Sequence, residues 1–107
     1  IYITENGNCC DDDRWRILKL ALDLAALKDA MDHGATVRGY LHWSFMDNYE
    51  WSSFIPRFGL VDVNFKTLKR TPKPSAYFFR DIIMSGGKFD GKLVQKYLPE
   101  MPVLKLY

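Results

Sequence analysis

The chain is 107 residues long, enough for one small domain, and 48% hydrophobic and 26% charged. Its net charge of +2 at pH 7 is too small, and its basic residues too dispersed, to argue for nucleic acid or an anionic membrane as a partner. No apolar run approaches the roughly 18 residues of a membrane span. The unusual figure is an aromatic share of 15%, since such rings pack cores but also grip flat apolar ligand faces.

Tyr2-Ile3-Thr4 reads as the end of a strand, followed by Glu5 and an Asn6-Gly7 turn, so the chain opens inside an element. Residues 5 to 12 form a polar loop that holds Cys9 and Cys10. Adjacent cysteines rarely reach unstrained disulfide geometry, and two thiols without His or further Cys make a poor zinc site. They are read as free thiols, which points to a reducing, cytoplasmic compartment.

Asp12 or Asp13 caps a helix that runs to about His33, with Gly34 suited to its end. The helix is apolar over most of its girth, through Trp15, Leu18, Leu20, Leu22, Leu24, Leu27 and Met31. Arg16, Lys19 and Asp23 form one polar ridge. That pattern predicts packing on more than one side. Val37 to Ser44 is a second strand, and a loop rich in Asp, Asn, Trp and Phe follows to about Arg57. Phe58 to Phe65 alternates loosely enough for a short extended piece. Thr71 to Ser75 is a rigid connector, Ser75 caps a last helix over residues 75 to 84, and Gly86-Gly87 ends it. The remaining tail shows no clear period.

Strands alternating with helices imply parallel pairing through crossovers. Two strands cannot build a parallel sheet covered on both faces, so the sequence predicts a piece of a larger α/β fold. Catalytic side chains of a (β/α)8 barrel sit at the C-terminal strand ends. Glu5 and Trp43 would then stand on neighbouring strands about 4.8 Å apart and line one pocket.

Three stretches carry a resemblance. "GYLHWSFMDNYEWSS" (Gly39 to Ser53) with "RFGLVDV" (Arg57 to Val63) resembles the last strand and loop of family 1 glycoside hydrolases. "YITENG" is similar to the nucleophile segment of that family, and "KPSAYFFR" (Lys73 to Arg80) to its final helix. Within the family the wording is nearest to archaeal β-glycosidases. The resemblance implies an α/β fold, the last two βα units of a TIM barrel over residues 1–85, with a C-terminal extension over 86–107. It implies retaining hydrolysis of β-glycosides, with Glu5 as nucleophile. Trp43 would lie under the sugar ring, Glu50 and Trp51 would read its hydroxyls, and Phe58 would border the same site. The family's acid/base carboxylate lies in an Asn-Glu-Pro motif that this sequence lacks, so the remainder of the barrel is the expected partner and the piece alone is expected to be inactive.

Glu50 favours unphosphorylated sugars, because a fixed negative charge repels a phosphate. Asp47 and Asn48 are read as hydrogen bonders that shape the loop, and His42 as facing packing helices rather than holding a metal. No cofactor is expected. Relative to the family, the stretch Ser52 to Pro56 is one residue short, which implies a tighter loop near the sugar's 6-position. The tail, with Tyr97, Leu98, Val103, Leu104, Leu106 and Tyr107, suits either a subunit contact in a homo-oligomer or a wrap around its own barrel. A non-catalytic sugar-binding module with half a pocket is the alternative from another class.

Overall fold

The computed structural model describes residues 1–103, 105 and 106. Strand β1 (Tyr2–Asn6) leads into helix α1 (Asp13–Asp32), which returns the chain to β2 (Gly39–His42). β1 and β2 pair in parallel, Tyr2 with Gly39 and Ile3 with Tyr40, and the register shifts before Asn6 meets His42. This is the expected βαβ arrangement. The chain then forms β3 (Val61–Val63) and β4 (Arg70–Pro72), an antiparallel pair, before α2 (Pro74–Met84) and α3 (Gly91–Tyr97). The described residues form no closed barrel; they make two separate two-stranded sheets.

Asp12 is the N-cap of α1 and accepts from the backbone N–H of Arg14. Gly34, past the helix end, has φ 100°, a conformation that favours glycine. The core gathers Ile17, Leu20 and Ala21 of α1 against Phe78 and Ile82 of α2, with Val94 of α3 and Leu98. Spacings of three and four residues put the α1 set on one stripe. On the opposite side of α1, Trp15 and Leu22 are exposed.

Four expectations are corrected. Arg16 does not stand on a solvent ridge; it is 1% exposed. Its guanidinium donates to Asp13 Oδ1 at 2.5 Å, to the Arg57 carbonyl at 2.6 Å and to the Cys10 carbonyl at 3.2 Å. Ser75 does not cap α2 with its own side chain, because Lys73 occupies that position and supplies no side-chain bond. Instead Asp13 reaches across from α1 and accepts from both the Ser75 N–H and the Ser75 hydroxyl, each at 2.7 Å. A carboxylate at a helix N-terminus is favoured by the unpaired N–H groups there. Finally, the aperiodic tail contains α3. Asp90 caps it, accepting from the N–H groups of Lys92 and Leu93, and seven residues are too few to display a period. The expected connector, Thr71 to Ser75, begins as strand: Arg70–Pro72 is β4. Leu104 and Tyr107 lie outside the described residues.

Asp47 fixes the loop after β2. Its side chain is fully buried, pairs with Lys73 Nζ at 3.1 Å and Arg57 Nη1 at 3.4 Å, and accepts from the Gly59 N–H at 2.8 Å. Gly59 has no room for a side chain, since an added Cβ would lie 2.2 Å from the Asp47 nitrogen. His42 points toward α2, where it meets the Phe79 ring. Neither ring nitrogen has a hydrogen-bond partner among the described residues. Burial, helped by the Arg16 charge, pushes its pKa down to about 4.

Two outcomes follow. Asp47→Ala leaves the Gly59 N–H without its acceptor and two cations without their carboxylate, though Lys73 keeps the Gly59 carbonyl and Arg57 the Val63 carbonyl; it should cost about 1–3 kcal/mol, and urea unfolding of the intact protein measures it. For His42, the unfolded chain takes up a proton below about pH 6.5 that the folded chain refuses. Stability should therefore fall as pH drops from there toward 4, by at most about 1.4 kcal/mol per unit from this residue. His42→Phe should remove that part of the slope in matched melts.

Candidate active site

Glu5 stands near the C-terminal end of β1, and Trp43 immediately follows β2. The two strand ends are held together: the Trp43 N–H donates to the Asn6 carbonyl at 2.9 Å. On the face away from the hollow, the Tyr40 hydroxyl donates to Asn6 Oδ1 at 2.9 Å. Gly7 lies so close beneath the Trp43 carbonyl that a Cβ there would sit 1.7 Å from its oxygen. Only glycine permits this approach. The Trp43–Ser44 peptide bond is cis.

The far wall is the loop after β2. Its base is sewn to the chain that follows, with Ser44 N–H to Phe58 carbonyl (3.2 Å), Leu60 N–H to Ser44 carbonyl (3.0 Å) and Asp47 N–H to Val61 carbonyl (3.0 Å). Asn48 donates to the Ser44 hydroxyl and the Met46 carbonyl. With the Asp47 pairs, these bonds agree with the loop-shaping role read for both residues. The tip is a tight turn: the Glu50 N–H meets the Ser53 carbonyl at 2.8 Å, and Trp51 takes φ 56° with its side chain 96% exposed.

Between these walls lies an open hollow of ≈ 690 Å³. Glu5, Trp43, Glu50, Trp51 and Phe58 all line it, together with Asn48, Tyr49 and Pro56. All five residues singled out from the sequence therefore face one space. The polar groups within it are arranged unevenly. Glu50 Oε1 accepts from the Trp43 indole N–H at 3.0 Å, which leaves Oε2 for other donors. Glu5 has no side-chain hydrogen bond among the described residues, and its carboxylate is exposed. Chemically, the hollow offers one unengaged carboxylate, a second carboxylate with half its capacity spent, and broad aromatic faces. Among the described residues no group of three or more His, Cys, Asp or Glu side chains is placed to hold a metal.

Tyr49 and Pro56 were missed in the sequence. Tyr49 sits inside the quoted motif, but its neighbours in that motif offered more obvious chemistry. The structure adds that its ring packs on Phe54. Pro56 gave no signal beyond its place in the shortened stretch.

Comparison with known proteins gives a consistent result. The family model of glycosyl hydrolase family 1 matches residues 1–88. A β-galactosidase of Saccharolobus solfataricus is 44% identical over 91 residues, covering 84% of this chain and 19% of that protein. A 6-phospho-β-galactosidase of Streptococcus equi is 45% identical over 91 residues, covering 77% of this chain and 19% of its own length. The solved β-glycosidase of Pyrococcus horikoshii superposes with a TM-score of 0.85 at 44% identity, covering 98% of this chain and 24% of that one. The chain thus spans about a fifth to a quarter of the length of these relatives, whose full structures are TIM barrels. The match of the family model to most of the chain, together with this superposition, means that the chain belongs to glycosyl hydrolase family 1.

Proposed function

We propose that the protein to which this chain belongs hydrolyses β-glycosides with retention of configuration, with Glu5 as the nucleophile. The observation that carries this reading is the shared hollow, in which the free carboxylate of Glu5 opens onto the same space as the Trp43–Glu50 pair. Glu5 attacks the anomeric carbon as the aglycone leaves, forming a glycosyl-enzyme ester, and water then releases the sugar. Trp43 supplies a flat apolar face for the C–H side of the pyranose. Glu50 Oε2 and the Trp51 indole N–H take sugar hydroxyls, and Phe58 closes the border.

The leaving oxygen needs a proton from a second carboxyl about 5 Å from the nucleophile. Glu50 is engaged by the Trp43 indole and assigned to hydroxyls, and no Asn-Glu-Pro occurs in the sequence. The acid/base group is therefore assigned to another part of the barrel, and the 107 residues alone are proposed to be inactive. Overall likeness does not choose between plain and 6-phosphorylated sugars, since a 6-phospho-β-galactosidase is among the relatives. The charge of Glu50 favours unphosphorylated glucosides or galactosides, because it repels a phosphate held nearby. The free cysteines suit a cytoplasmic enzyme. Much of the tail wraps onto its own chain, with Val94 and Leu98 in the core and Tyr97, Met101 and Leu106 packed against it, which leaves exposed Val103 as the part open to a subunit contact.

The test is covalent trapping. A 2-deoxy-2-fluoro glycoside of glucose or galactose should label the intact enzyme on Glu5, with the peptide identified by mass. Glu5→Gln should abolish labelling and lower turnover by at least about 10³-fold. Labelling at any other carboxylate, or full activity in the variant, would overturn the assignment.

A further inference from the structure

Cys9 and Cys10 take no part in the reaction above, yet they occupy the short loop between the Glu5 strand and α1. Both are free, Cys9 exposed and Cys10 partly exposed. The Cys10 backbone is clamped at both ends: its N–H donates to the Arg57 carbonyl at 3.2 Å, and its carbonyl accepts from buried Arg16 at 3.2 Å. Cys9, by contrast, makes no hydrogen bond among the described residues, and it is exposed.

We propose that this pair is a chelating site for a trivalent organoarsenical, the class of thiophilic ligand that needs two sulfurs and brings its third bond with it. Zinc would require about four protein ligands, and no third metal-ligating side chain joins a cluster among the described residues. A trigonal arsenic carrying one carbon substituent requires only two. The step balances without a redox partner. An arsenoxide, R–As=O, and two thiols give R–As bonded to both sulfurs, and the two thiol protons leave with the oxide oxygen as water. Arsenic stays trivalent throughout. Once one sulfur is bound, the adjacent thiol acts at high effective concentration, which is what makes a pair far stronger than either thiol alone. Burial raises the Cys10 thiol pKa, so the exposed Cys9 is the sulfur that engages first.

The probe is phenylarsine oxide, added to the intact protein and read by native mass spectrometry and peptide mapping. One adduct per chain, minus one water, should map to the peptide holding Cys9 and Cys10. It should survive excess monothiol and be stripped by 2,3-dimercaptopropanol. Cys9→Ser and Cys10→Ser should each reduce retention by about 10²-fold or more. Because Cys9 is exposed, Cys9→Ser keeps the test valid even where Cys10→Ser disturbs the clamped loop, and matched far-UV circular dichroism checks the fold. An adduct held equally well by Cys9→Ser, or none in the unsubstituted protein, would overturn the proposal. The readout is mass rather than turnover, so it stands apart from the test of Glu5.

Discussion

A single buried guanidinium ties the parts of this molecule together. Arg16 reaches from the first turn of α1 to three places at once: Asp13 on its own helix, the Cys10 carbonyl in the loop after β1, and the Arg57 carbonyl beside the site. Asp13 passes the link onward to Ser75 at the start of α2. A charge taken out of water is costly unless its donors find acceptors. Here one carboxylate and two carbonyls serve, while Nε is left without a partner among the described residues. The arrangement holds only if the two loops and both helices keep their present spacing, so it acts as a geometric specification more than as a source of stability.

That specification reaches the hollow through Arg57. Its carbonyl receives Arg16 and the Cys10 N–H, while its own guanidinium approaches buried Asp47 and donates to the Val63 carbonyl. Phe58, the next residue, lines the hollow. The loop that follows β2 is thus fixed at its base by charge and backbone bonds, and exposed at its tip, where Trp51 stands almost free of the protein. The hollow has a rigid floor and a rim built from side chains with few intramolecular commitments.

The parts of this structure that were legible in the sequence share a physical reason. Parallel pairing of β1 and β2 follows from a strand–helix–strand order, and the helix ends follow from Asp12 and Gly34, whose conformational preferences are local. The convergence of Glu5, Trp43, Glu50, Trp51 and Phe58 on one hollow was expected from strand-end geometry together with the family resemblance. What stayed hidden depends on contacts far apart in the chain. Arg16 looks like a surface residue because arginine is usually one; nothing nearby reveals that a carbonyl 41 positions away will claim it. Ser75 looks like a helix cap because serine prefers that position, yet its bonds go to a carboxylate 62 positions away. Trp15 and Leu22 were expected inside, and they face outward because no described helix or strand lies over them.

The bond between the Trp43 indole and Glu50 Oε1 joins two tasks that a binding pocket would otherwise keep separate. A change at position 50 that removes the acceptor frees the Trp43 ring from this bond, and a change at position 43 that removes the indole frees the Glu50 carboxylate. Energies measured for replacing each residue singly should therefore fail to sum to that of the double replacement. Under the proposed function, a change of preference among sugars would have to alter both residues together or build selectivity elsewhere on the rim.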